Sequence, residues 1–403
     1  MTSEIKQRIE QIRRGEVPER YVKTVLGLAP ANWKRYTFGD IYTERKEPGD
    51  ENLPLLMVSI HSGVSDGEVD AAELPKQVKR IEDKSQYKKA VSGDLVFNMM
   101  RAWQGAIGTV RTTGMVSPAY IVAEPNDKAY PLFMDYYSRT PQMINQIDRQ
   151  SYGVTDFRKR LYWDSFAPIS CTLPPIEEQQ KIAAILTTQD RVIELKGKRL
   201  AEKQRQKKYL MQQLLTGKKR LPGFIGKWKT FGFNEIFITI STKGHQINKA
   251  EYETKGRYPV IDQGRQMIAG YSNKAEKALM CPKEGVIVFG DHTREIKFVN
   301  FNFIVGADGT QLLSAKSKNA AIKYLFYYLS NKDIHSDGYS RHFKYVKEFT
   351  YRLPPLGEQT AIAEVLSAAD HEIDLLQQDI EQEKQKKKAL MQLLLTGIVR
   401  VKT

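Results

Sequence analysis

The stretch GDHTREIK, Gly290 to Lys297, offers Asp291, Glu295 and Lys297, a carboxylate–carboxylate–lysine set of the kind that metal-dependent nucleases use. The spacing is too tight for the usual arrangement, and acid-x-Lys triplets arise often by chance, so the sequence argues against catalysis there. The six histidines are scattered without metal-ligand spacing, and no metal site is expected. No GxxxxGK[ST] phosphate loop occurs. Pro174–Pro175 and Pro354–Pro355 are each preceded by leucine, not by the Asn or Asp of an adenine methyltransferase motif. Cys171 and Cys281 lie far apart in no CxxC pattern, and read as small buried apolar residues in a reducing cytoplasm. The chain is read as no enzyme.

The remaining chemistry is that of positive charge. Lysine and arginine number 62 against 47 acids, a net charge of +15 and a pI near 9.4. A surplus of this size serves solubility, and it also favours a polyanionic partner, usually nucleic acid. Reading base edges needs Arg, Lys, Asn or Gln, while other basic groups anchor phosphates. In the first half, Lys79, Arg80, Lys84, Lys88 and Lys89 crowd KQVKRIEDKSQYKK. Arg101 and Gln104, in NMMRAWQGAIG, are placed on a strand-to-turn corner beside Trp103, and DFRKRLYW adds Arg158, Lys159 and Arg160. The second half offers Lys243, His245, Arg265, Gln266, His292, Arg294, Arg341, His342 and Lys344. Residues 33–172 carry 18 basic and 18 acidic side chains, so binding there must rest on a local patch.

What must position these groups is visible as a repeat. Residues 173–221, opening LPPIEEQQKIAAILTTQD, align without a gap to residues 353–401, opening LPPLGEQTAIAEVLSAAD, and 21 of 49 positions are identical. Both copies carry helix punctuation: a Pro-Pro entry and Gly217 or Gly397 at the end, with Glu177 and Glu178 in the first turn of the first copy. Between these ends runs a seam spaced by three and four. Its apolar members are Ile182, Leu186, Ile193, Leu200, Leu210 and Leu214 in the first copy, and Ile362, Leu366, Ile373, Leu376, Ile380, Leu390 and Leu394 in the second. Such spacing predicts a coiled coil. The basic run Lys196–Lys208 falls late in the first copy and the acidic run Glu364–Glu383 falls early in the second. An antiparallel pair sets one against the other.

The segments between the helices are unlike, yet share faint landmarks: Trp33 with Trp228, SGDLVFNMM with KEGVIVFGD, LFMDYY with LFYYLS. Short β-branched and aromatic runs alternate with Gly- and Asp-rich turns, predicting mixed α/β structure. The expected division is an N-terminal helical segment 1–28, a first domain 29–172, a central helix 173–221, a second domain 222–352 and a C-terminal helix 353–403. At 403 residues there is material for two or three cores. No apolar run reaches about 18 residues, so no membrane association is expected, and the charged opening MTSEIKQRIEQIRRGE lacks a signal-peptide core.

The doubled LPPxxEQxxIAxxL and LMQxLLTG motifs, set around unlike segments that begin near a Pro-x-x-Trp, resemble the specificity subunit of type I restriction–modification systems. RRGEVPERYVKTVLGLAPANW, Arg13 to Trp33, is similar to the opening of many members. The resemblance covers essentially the whole chain. It implies an α+β architecture, with two mixed α/β target-recognition domains separated by two long helices that form an antiparallel coiled coil, related by an internal pseudo-twofold repeat. It implies a cytoplasmic subunit that binds double-stranded DNA at an asymmetric, bipartite site, one half-site per domain, with the helix pair setting the spacer. Two modification (methyltransferase) subunits and a restriction subunit with motor activity are the implied partners. S-adenosylmethionine, ATP and Mg are then cofactors of those partners, and this chain holds none. A coiled-coil adaptor that joins proteins without reading DNA is the alternative, and a nuclease the lesser one.

Overall fold

The computed structural model describes residues 3–24, 27–50, 52–61, 63–65, 86–153, 159–316, 319–336, 338 and 340–401. The chain divides into two compact units, Met1–Leu195 with Ile380–Thr403, and Lys196–Asp379.

In the first unit, helix α1 (Ser3–Arg13) and the hairpin β1 (Tyr21–Thr24) and β2 (Gly27–Pro30) precede Trp33. Strand β3 (Lys34–Thr37) leads into α2 (Phe38–Ile41), where Thr37 and Asp40 form a capping box. Then follow β4 (Tyr42–Glu44), the short pair β5 (Val58–Ser59) and β6 (Gly63–Val64), and β7 (Lys88–Ala90). The central strands are β8 (Leu95–Asn98), β9 (Ile107–Thr109), β10 (Gly114–Val116) and β11 (Tyr120–Pro125). An antiparallel sheet of order β4-β11-β8-β9 packs its apolar face on α3 (Pro131–Tyr137), α4 (Pro141–Gln150) and α5 (Trp163–Phe166). Leu95, Phe97, Phe133 and Phe166 are fully buried in that core. Strand β12 (Ser170–Leu173) pairs with β3 and hands the chain to α6 (Ile176–Leu214).

The second unit repeats this plan. β13 (Lys229–Phe231), α7 (Phe233–Ile236) and β14 (Phe237–Ile240) echo β3, α2 and β4. Strands β15 (Gln246–Ile247), β16 (Tyr258–Ile261) and β17 (Gly270–Ser272) join β20 (Ile304–Gly306) in a mixed sheet of order β15-β20-β16-β17. The antiparallel sheet β14-β21-β18-β19 uses β18 (Val286–Gly290), β19 (Ile296–Val299) and β21 (Thr310–Ala315). It packs against α8 (Ile322–Ser330) and α9 (Phe343–Glu348), and β22 (Tyr351–Leu353) pairs with β13 before α10 (Leu356–Leu394).

Helices α6 and α10 are each 39 residues long, about 58 Å at 1.5 Å per residue. Each is shared between the two units, α6 dividing after Leu195 and α10 before Ile380. In the first unit Asp190 meets Lys387 at 2.5 Å, and the Gln189 amide donates to Glu383 at 2.7 Å. Ile182, Leu186, Leu390 and Leu394 share that unit's core. In the second, Lys196 meets Asp379 at 2.8 Å, Lys203 meets Glu372 at 2.6 Å and Lys207 meets Asp370. There Leu210, Leu214, Ile362 and Leu366 pack together. In the second unit numbers rise along one helix as they fall along the other, so the helices pair antiparallel there. The basic run faces the acidic one as the charges require. The remaining seam residues Ile193, Leu200, Leu376, Ile373 and Ile380 are buried or half-buried.

The repeat is held by equivalent contacts. In the first unit Glu178, fully buried, accepts two bonds from the Arg400 guanidinium at 2.6 and 2.7 Å. In the second, Glu358 does the same for Arg220 at 2.9 and 2.5 Å. Tyr136 donates to Asp190 at 2.7 Å beneath Lys387, as Tyr327 donates to Asp370 at 2.7 Å beneath Lys207. Burial first, and then the Asp190 carboxylate, push the Tyr136 phenol up to about 12. Gln179 accepts from the Tyr130 amide and donates to two carbonyls, as Gln359 does with Ala321. Gly217 and Gly397 both take φ +72° at the helix ends, the left-handed cap that glycine permits.

Candidate nucleic-acid interface

A corner at the exit of β8 gathers the first unit's candidates. Asn98 accepts the Met100 amide at 2.9 Å, turning the chain out of the buried strand. A single 3₁₀ turn, Ala102–Gln104, follows, and Gly105 at φ +106° closes it. Ala102 points into the core while Arg101 and Gln104 are exposed. Trp103 is fixed by its indole N–H donating to Met100 O at 3.0 Å, and Lys159 Nζ lies 5.3 Å over the ring. Lys159 is also tied to Asp148 at 2.9 Å. The Leu161 amide donates to Met99 O at 2.8 Å, which brings the stretch before α5 against this corner. Tyr152 and Arg160 bridge one another through their main chains, and the Tyr152 and Tyr162 rings lie 6.0 Å apart. Tyr152 is 60% exposed and Met100 and Tyr162 are also open. The result is a surface of arginine, amide and aromatic groups around a rigid turn. Cation and π faces of this kind suit bases and phosphates.

The exit of β18 builds the second unit's corner. Thr293 donates to Gln263 O at 2.5 Å, and Gln263 Oε1 accepts the His292 amide at 3.2 Å. Arg294 sits at φ +63° with its amide on Gly290 O, and its guanidinium donates to Ile334 O at 2.9 Å. His292 Nδ1 lies 3.2 Å from Ser340 O, next to exposed Arg341. Beneath, the Asp291 carboxylate accepts the Phe343 amide at 2.8 Å, joining the turn to α9. Lys297, 6% exposed on its side chain, donates to Asp262 O at 2.8 Å and Gln266 O at 2.5 Å. It thereby holds the loop that carries Gln263, Arg265 and Gln266. Burial pulls this lysine below its ordinary range, opposed by the Asp262 carboxylate. Arg265 is 94% exposed and 3.5 Å from Glu295.

These contacts separate the carboxylate–lysine set: Asp291 serves α9, Lys297 serves the 262–266 loop, and Glu295 faces Arg265. Among the described residues no group of acids, histidines and cysteines is disposed to hold a metal, and no helix is long and apolar enough to cross a membrane.

Several candidates stand elsewhere. His342 is 1% exposed, with Nδ1 2.9 Å from Asp291 O, so its ring is internal. Lys88 is half-buried in β7, donates to Tyr120 O at 2.7 Å and is pulled down by burial. Lys89 joins an ion-pair network with Glu47, which also binds Arg45. Lys88 and His342, read from the sequence as DNA-binding candidates, thus both bond to main-chain carbonyls within the fold. Lys243 is exposed and His245 bonds Lys277 O on the loop before β15, not on the β18 turn. Lys344 is exposed on α9 with its ammonium over Tyr345. Lys79, Arg80, Lys84 and Arg158 lie outside the described residues. The sequence reading missed Tyr152, Tyr162 and Gln263. Tyr152 precedes DFRKRLYW and Tyr162 lies within it, where aromatic residues beside basic ones were the available signal. Gln263 acts through its loop and leaves no local pattern.

The family model for the type I restriction modification DNA specificity domain matches residues 71–203 and again 225–385. A Methanocaldococcus jannaschii protein, named provisionally as the type I restriction enzyme MjaX specificity subunit, is 25% identical over 96% of this chain and 98% of its own length. The type I restriction enzyme MjaVIII specificity subunit of the same organism is 23% identical over 95% and 97%. The crystal structure of the type I restriction-modification S subunit from M. genitalium superposes with a TM-score of 0.62 at 13% identity, covering 92% of this chain and 97% of that one. Two family matches set on the two copies of one plan leave a single conclusion: the chain belongs to the type I restriction modification DNA specificity family.

Proposed function

We propose that this chain is the sequence-reading, non-catalytic subunit of a cytoplasmic type I restriction–modification complex. Each unit reads one short half-site of double-stranded DNA through its strand-exit corner, largely in the major groove. The long helices set the unread spacing and dock two modification subunits, and a restriction subunit with motor activity joins for cleavage. Methyl transfer from S-adenosylmethionine, and ATP and Mg chemistry, belong to those partners.

The observation that carries this reading is a contrast. The helix frame repeats without a gap, down to the equivalent ion pairs Arg400–Glu178 and Arg220–Glu358. The corners it supports are unlike: Met100, Arg101, Trp103 and Gln104 in one, His292, Thr293 and Arg294 in the other. Like frames with unlike corners are what an asymmetric two-part site requires.

The test is the salt dependence of binding to duplex DNA that carries the methylated site. Affinity is expected to fall linearly on a log–log plot with added salt, with a slope that Arg101→Ala or Arg160→Ala reduces by about 1 if the residue neutralises a phosphate. An adaptor without DNA readout would show no such slope, and a nuclease would cut DNA by itself with a divalent metal.

A further inference from the structure

The repeat leaves one place where the two units differ in cover. In the first unit, Leu395, Thr396, Trp33, Tyr137, Thr140 and Thr172 line a hollow of about 50 Å³, closed over by Thr24, Leu28 and Ala29 of the β1–β2 hairpin. In the second, a groove of about 290 Å³ is lined by Leu215, Thr216, Trp228, Tyr328, Asn331 and Arg352. These are the counterparts, one for one, on the repeated frame. Among the described residues no hairpin of the second unit lines this groove, and the short stretch 215–227 joins the end of α6 to Trp228.

The cover shows in the exposure of the matched residues. Trp33 is 7% exposed and Thr396 half-buried, whereas Trp228 is half-buried and Thr216 exposed. The hairpin and the α1 helix before it are anchored on the tail after α10: Tyr21 of β1 donates to Gly397 O at 2.6 Å and Arg8 of α1 to Ile398 O at 3.1 Å. The first unit's groove is thus filled by an extended, mainly apolar polypeptide, GLAP in β2. The open groove keeps the same floor but changes its rim. Lys332 and Arg352 stand where the first unit has Pro141 and Thr172. Their charges rest over the Tyr328 and Trp228 rings at 4.9 and 5.8 Å, and among the described residues neither forms an ion pair.

We propose that the Trp228 groove docks an extended, apolar segment of a protein partner, one that carries carboxylates for Lys332 and Arg352. The site is available once per chain, because the N-terminal hairpin plugs its counterpart. A polypeptide is favoured over DNA by the apolar floor and by the nature of the occupant in the first unit. The proposal rests on the reading that modification subunits assemble on this chain, and uses that subunit as the partner.

A photo-crosslinking amino acid is placed at Thr216 or, as the internal control, at Thr396, in the full chain mixed with purified modification subunit and duplex DNA. The groove predicts an intermolecular adduct from position 216 and none from 396, mapping to an apolar segment that contains Asp or Glu. Lys332→Glu with Arg352→Glu should weaken association about tenfold, while Arg352→Lys keeps it. Equal adducts at both positions, no adduct at 216, an adduct with DNA, a mapped segment without acids, or unchanged affinity of the double variant would each overturn the proposal. Salt-dependent DNA binding by the isolated chain is unaffected by any of these outcomes, so the docking claim can fail while the recognition reading stands.

Discussion

Arg101 and Gln104 are exposed on a turn, and Arg160 on the stretch bridged to Tyr152 beside it, and main-chain bonds fix both segments. If one of them reads a base edge, its alanine variant should lose about 1–3 kcal/mol of discrimination at a single base pair of one half-site. Competition binding against single-base site variants checks this, and the other half-site should be unaffected. Lys297 is a different kind of residue. Its ammonium caps two carbonyls of the loop that bears Gln263, and Lys297→Met leaves both without that donor. A loss of about 1–3 kcal/mol of stability is expected, read as a lower midpoint in thermal unfolding, with recognition relaxed in the second half-site only. Residue type alone marked Arg101, Gln104, Lys159 and Arg160, because basic groups there sit beside aromatic ones. A side chain's type does not say whether the chain packs over it, as it does over His342 and in part over Lys88.

At the scale of elements, the long helices were legible because their information is local and duplicated: a seam at three and four, caps at both ends, and crossed charge. The sheets were not. Their strands are mostly three to six residues long, and β21 pairs with both β14 and β18 across intervening loops, a register that no local pattern encodes. The frame also makes a paired prediction. Arg400→Ala leaves Glu178 buried with only the Trp33 indole, at 3.3 Å, as a named partner. Removing one member of a buried ion pair costs about 3 kcal/mol or more. Arg220→Ala should do the same to Glu358. Hydrogen exchange is expected to report loosened protection in the unit that holds the variant and little change in the other.

At the scale of the whole molecule, each unit is completed by helix halves from distant parts of the chain. Glu178 and Arg400 are 222 positions apart. The expected boundaries treated each helix as a segment of its own, whereas the compact units divide α6 after Leu195 and α10 before Ile380. Contacts of that sequence separation leave no trace in composition or periodicity. If the helices fix the unread spacer, four residues inserted into both at facing levels add about 6 Å. The recognised sequence should then gain roughly two base pairs between unchanged half-sites, at about 3.4 Å each. The account's central claim is that this one chain chooses a two-part, asymmetric DNA sequence for a partner methyltransferase. Mapping methylated adenines genome-wide in cells with and without the chain tests it most directly. The account predicts one bipartite, non-palindromic motif that disappears with the chain, and whose second half alone changes when residues 222–352 are exchanged for those of another family member. A methylation pattern that persists without the chain, or a motif unaltered by the exchange, would contradict it.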